Sequence, residues 1–167
     1  MTAALLFFLG FLVLSAFDAL YFHVYRERLA AHSVSQRERM LHVRGNIAAA
    51  ALGLMLAWFE WRGLWILVPL LFFAAELTFS ILDYLEEKRV RTPGLPEKAV
   101  HWILAGLHTA FALLALPSAL AWLLAPGEVA FQNALTLPLT AASVLLFAAA
   151  IAEAGWNPDS RRGSEHE

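Results

Sequence analysis

Five apolar runs, each long enough to cross a lipid bilayer, constrain this chain more than any other feature. A hydrocarbon core of about 30 Å takes about 20 mostly apolar residues of α-helix. The runs cover residues 3–25, 40–61, 64–85, 99–124 and 134–154. They predict an all-α fold: an integral membrane bundle of five transmembrane helices. Hydrophobic residues make up 60% of the 167, above the roughly 45–50% of a soluble domain. Residues 1–156 read as one five-helix transmembrane domain, and 157–167 as a short disordered cytoplasmic tail. The first run begins beside Met1 with no Lys or Arg before it. A secretory signal would carry a positive region and a cleavage site, so residues 3–22 are expected to be a retained helix.

The connections set the orientation. Arg26, Arg28, Arg37, Arg39 and Arg44 cluster around the first, and Lys88, Arg89, Arg91 and Lys98 around the third, which also holds Pro93-Gly94-Leu95-Pro96. Arg161 and Arg162 lie in the tail, whereas the opposite side carries only Arg62. Lys and Arg concentrate on the cytoplasmic side. The N-terminus is therefore expected outside and the C-terminus in the cytoplasm of an inner-membrane protein. Formal net charge is −2, which points to no nucleic-acid partner. There is no cysteine. Disulfides, iron–sulfur clusters and thiolate metal sites are excluded, so any metal must be held by His, Asp, Glu or backbone oxygen.

Ionisable side chains inside apolar helices are costly and usually face the bundle interior with a functional partner. The third run carries Glu76, Ser80, Asp83 and Glu87 at steps of four, three and four, which is one helical face. Glu97, His101 and His108 share a face of the fourth run, and Glu38 and His42 stand one turn apart where the second begins. The first run supplies Asp18 and His23. In a regular α-helix these two point about 140° apart, so they can serve one centre only if the helix departs from regular winding. All these groups fall in the expected cytoplasmic half. The outer half offers Glu60, Arg62 and Glu128.

The candidate metal ligands are Asp18, His23, Glu38, His42, Glu76, Asp83, Glu97, His101 and His108. Tyr21, Tyr25 and Arg44 are candidates for a supporting role behind them, and no catalytic residue can be singled out. Glu38 and Glu97 also suit the positive end of a helix dipole. Glu86, Glu87, Lys88 and Arg89 read as a solvated charge run. The fifth run has no charge before Glu153 and reads as packing scaffold beside a four-helix metal-site core. Ala141, Ala142, Ala148, Ala149 and Ala150 would let it approach its neighbours closely.

Glu38-Arg39-Met40-Leu41-His42 and Glu97-Lys98-Ala99-Val100-His101 repeat one pattern 59 residues apart. In ligand plan the chain resembles the carboxylate-bridged di-iron four-helix proteins, in which two helices give a Glu and two give Glu-x-x-His. The spacing here is longer by one residue, which still leaves both side chains on one face. At Asp18-Ala19-Leu20-Tyr21-Phe22-His23 and Glu38-x-x-x-His42-x-Arg44 the chain also resembles small bacterial integral membrane proteins of unassigned activity.

Imidazole with carboxylate suits iron, manganese or zinc. The leading expectation is a one- or two-metal enzyme, leaning to di-iron oxidation of a lipid or quinone-like substrate that enters from the bilayer. A zinc-dependent membrane hydrolase is the nearest alternative. A metal or proton transporter and a structural subunit are the non-catalytic ones. No haem is expected, because clustered carboxylates suit a haem pocket poorly.

Overall fold

The computed structural model describes residues 1–26, 36–131 and 135–155. The expected tail at 157–167 lies outside the described residues. Five helices dominate: α1 (Thr2–Phe17), α2 (Gln36–Trp58), α3 (Leu67–Val90), α4 (Leu95–Leu124) and α5 (Thr136–Gly155). With their extensions, five segments are long and apolar enough to cross a membrane. The all-α expectation therefore holds.

Two departures from regular helix matter. Beyond Phe17, α1 continues as a π-helix over Asp18–Arg26. At the far end of α2, residues Phe59–Trp61 leave the helix as strand β1 and pair antiparallel with β2 (Val129–Phe131), with Glu60 opposite Ala130. The second expected segment is therefore shorter at its end, because aromatic Phe59 and Trp61 pair across to the α4–α5 connection. A turn of 3₁₀-helix, Gly63–Ile66, leads into α3. Gly63 takes φ +60, and a Cβ there would stand 2.7 Å from Gly127 Cα. Only glycine fits this turn without strain. Arg62 joins Glu60 at 2.7 Å and also bonds Glu128, closing the strand pair. The hydrogen bonds that Arg62 donates to Glu60 hold its guanidinium pKa above the usual arginine value.

α4 starts earlier than the hydropathy suggests. Gly94 precedes it and proline occupies its first turn, where a missing N–H costs nothing. Glu97 thereby joins the first turn of the helix.

The closest helix contacts are α2 with α3, α2 with α5, α1 with α4 and α1 with α5. The helices thus form an arc, α3–α2–α5–α1–α4, with α3 and α4 at its ends. The core lies where α1, α2 and α5 meet: Leu5, Phe8 and Leu12 pack with Ala50, Leu56, Leu139 and Leu146. Small residues let these helices approach. Ala142, Ala149 and Ala150 are buried, and a Cβ on Gly53 would stand 2.2 Å from Ser143 Oγ and 2.9 Å from Leu12 Cδ1. Outward faces are apolar, as at Leu71, Leu113 and Leu137.

Candidate metal centre

The π-helical stretch solves the problem that Asp18 and His23 pose. A π-helix bonds residue i to i+5, so residues five apart come to one side. Asp18 and His23 are both buried, and Asp18 Oδ2 lies 3.8 Å from His23 Nε2. α2 brings His42 to the same point, its Nε2 3.7 Å from Asp18 Oδ2. α4 brings His101, with Nε2 at 3.5 Å from that oxygen. One carboxylate oxygen thus faces three imidazoles from three elements. Edges of a tetrahedral site with ligand bonds of ~2.1 Å are about 3.4 Å long, close to the separation of each imidazole from Asp18.

Two overlapping groups have ligand atoms within 4.8 Å of one another: Asp18, His23 and His42, and His23, Glu97 and His101. His23 belongs to both. Its Nδ1 is 2.8 Å from Glu153 Oε1 on α5. A carboxylate accepts, so Nδ1 donates and Nε2 keeps its lone pair, turned toward the other imidazoles. Metal-binding histidines almost always have such a carboxylate or carbonyl behind them. His42 Nδ1 also approaches His23 Nε2, at 3.1 Å.

Glu153 is the residue that the sequence reading missed. The fifth helix is not scaffold beside a four-helix core: it packs between α1 and α2 and delivers a buried carboxylate to the centre. The available signal was its position, the sole ionisable side chain of α5, at the same end as the other candidates.

Arg91 is the second missed residue. It follows α3, and its guanidinium donates to three carboxylates: Nε to Glu38 at 2.7 Å, Nη1 and Nη2 to Glu97 at 2.9 and 2.5 Å, and Nη2 to Glu87 at 2.9 Å. All three are buried, so Glu87 is no part of a solvated run. Burial works against the Arg91 charge, but Glu97 and Glu38 outweigh it and raise the pKa above the usual arginine value. Glu97 and Glu87 each face the imidazoles as well: Glu97 Oε1 is 3.9 Å from His23 Nε2, and Glu87 Oε2 is 3.6 Å from His101 Nδ1.

The remaining candidates stand elsewhere. Glu38 is held by Arg91 and belongs to neither metal-capable group. Glu76 and His108 form their own pair, with Oε2 and Nε2 2.8 Å apart but not aligned as a hydrogen bond. Ser80 donates to Glu76 at 2.9 Å, and the His108 ring stacks on Phe73. Seven residues of α4 separate His108 from His101, about 10 Å of rise. Asp83 is half-buried, with Oδ1 lacking a hydrogen-bond partner among the described residues. Tyr21, Tyr25 and Arg44 are exposed.

A cavity of about 490 Å³ joins the two polar groups. It lies between α3 and α4, the two ends of the arc, and its lining runs from Asp18, His42, Glu87 and His101 to Glu76 and His108. Leu77, Ile81, Leu104 and Ala105 supply apolar walls between. A second cavity of about 350 Å³, nearer the strand pair, is lined by apolar side chains such as Phe73, Phe111 and Trp122.

Comparison with protein-family models, with curated proteins and with solved structures gives no match.

Proposed function

We propose that this chain is a metal-dependent enzyme of the inner membrane, acting on a lipid or quinone-like substrate at the cytoplasmic side. The observation that carries the reading is the set of buried Asp18, His23 and Glu97 with half-buried His42 and His101, whose ligand atoms gather within 4.8 Å in two overlapping groups. Isolated carboxylates and imidazoles in an apolar bundle cost several kcal/mol, and a bound cation offsets that cost.

Helix length and outward-facing leucines support a bilayer setting. The excess of Lys and Arg at one end supports an N-terminus outside and a metal centre toward the cytoplasm. The cavity between α3 and α4 supports a substrate that arrives sideways from the lipid: its walls are apolar and its poles polar, which suits an amphiphile. Imidazole with carboxylate is compatible with iron, manganese and zinc. Iron and an oxidation are the first assignment. A zinc hydrolase is the second, supported by the imidazoles that face the Asp18 carboxylate.

The test uses the full chain in air-equilibrated liposomes of bacterial lipid with a quinone and its quinol added, the quinol as electron donor and dioxygen as oxidant, loaded with iron, manganese or zinc. Mass spectrometry of the lipids should show a species that gains oxygen or loses an acyl chain, and His42→Ala should abolish it. Unchanged lipids and quinone with iron, manganese and zinc alike would overturn the enzymatic reading.

A further inference from the structure

Three buried carboxylates beside the histidine cluster are gripped by one arginine. Glu38 and Glu97 open the two Glu-x-x-x-His segments, and Glu87 comes from α3. All three turn an oxygen to the Arg91 guanidinium, which makes four hydrogen bonds to them. Glu97 and Glu87 also face the histidine cluster, at 3.9 Å from His23 and 3.6 Å from His101. Each therefore stands between a fixed cation and the imidazoles, as a bridging carboxylate stands between two metal ions. Glu38 Oε2, on a side chain only 1% exposed, has no hydrogen-bond partner among the described residues.

The histidines point the same way. Both metal-capable groups depend on His23. Its Nδ1 is committed to Glu153, so one nitrogen remains. An imidazole nitrogen has a single lone pair and binds one ion.

We propose that the centre holds one metal ion, in the group Asp18, His23 and His42 whose carboxylate Arg91 does not hold, with His101 facing Asp18, and that Arg91 occupies the position of a second. This inference rests on the metal-dependent reading above and adds its stoichiometry. Arg91 supplies a permanent positive charge that no chelator removes. It also leaves Glu87 and Glu97 fixed as hydrogen-bond acceptors beside the imidazoles rather than as ligands to a second ion. Arginine suits this role because its planar fork can satisfy several carboxylate oxygens at once.

The experiment counts ions per chain by elemental analysis of detergent-purified protein saturated with iron(II), manganese or zinc. Wild type and Arg91→Lys should both bind one. Arg91→Met removes the charge with little change of volume and should bind two. Wild type with two ions per chain would overturn the proposal, and that result stands even if Arg91→Met does not fold. A folded Arg91→Met that still binds one would overturn it as well. No ion in any of the three would sink the metal-dependent reading itself, together with this inference, and is distinct from both.

Discussion

Asp18 and His23, five residues apart on one helix, face each other with Oδ2 and Nε2 3.8 Å apart. A regular α-helix would turn them about 140° from each other. The π-helical winding of Asp18–Arg26 brings them together. Such stretches are uncommon and cluster at functional sites. Here the winding aims one imidazole at three partners: Asp18, Glu97 and, through its other nitrogen, Glu153.

Glu153 fixes the tautomer and orientation of His23, so its loss should weaken the centre without removing a ligand. Glu153→Ala is expected to lower metal affinity about 10–100-fold. Competition with a chelator of known affinity measures it. Unchanged affinity would show that α5 only packs.

His101 and His108 share a face of α4 yet have different partners. His101 faces Asp18 and Glu87, whereas His108 pairs with Glu76 deeper in the bundle. His101→Ala should abolish tight metal binding. His108→Ala should leave the ion count as in wild type. Elemental analysis of the two variants side by side separates these roles, and equal losses would contradict the separation.

Much of this was legible in the chain. Hydropathy alone located five helices, because apolar runs of such length leave few alternatives. Helical periodicity placed Glu38 beside His42 and Glu97 beside His101. The rest depended on features that periodicity does not carry. The winding change at Asp18 has no proline or glycine to mark it, so the distance from Asp18 to His23 could not be read. Glu153 was hidden because pairing over 130 residues is a tertiary fact. Arg91 looked like one more loop charge, since only the fold shows three carboxylates converging on it. Glu76 and His108 read as neighbours deep in their helices, and the structure pairs them with each other, apart from the other histidines.

The core where α1, α2 and α5 cross depends on the absence of a side chain at residue 53. Gly53→Val would push into Ser143 and Leu12. Overpacking of this kind costs about 1–3 kcal/mol. Thermal unfolding in detergent should show a lower midpoint, while the same change at Gly106, where a Cβ meets nothing within 4 Å, should have a smaller effect.

Orientation can be tested directly because the chain has no cysteine. Single cysteines at Glu128 and Lys88 lie at opposite ends of the bundle, beside β2 and at the end of α3. A membrane-impermeant maleimide added to intact cells should label Glu128→Cys and spare Lys88→Cys. The reverse pattern would place the histidine centre on the outer side.

The most direct test of the central claim is the metal content of purified wild type beside His23→Ala, the residue common to both metal-capable groups. The account predicts iron, manganese or zinc in stoichiometric amount in wild type, falling to background in the variant. Metal-free wild type after reconstitution with each ion, or an ion that His23→Ala retains in full, would contradict it.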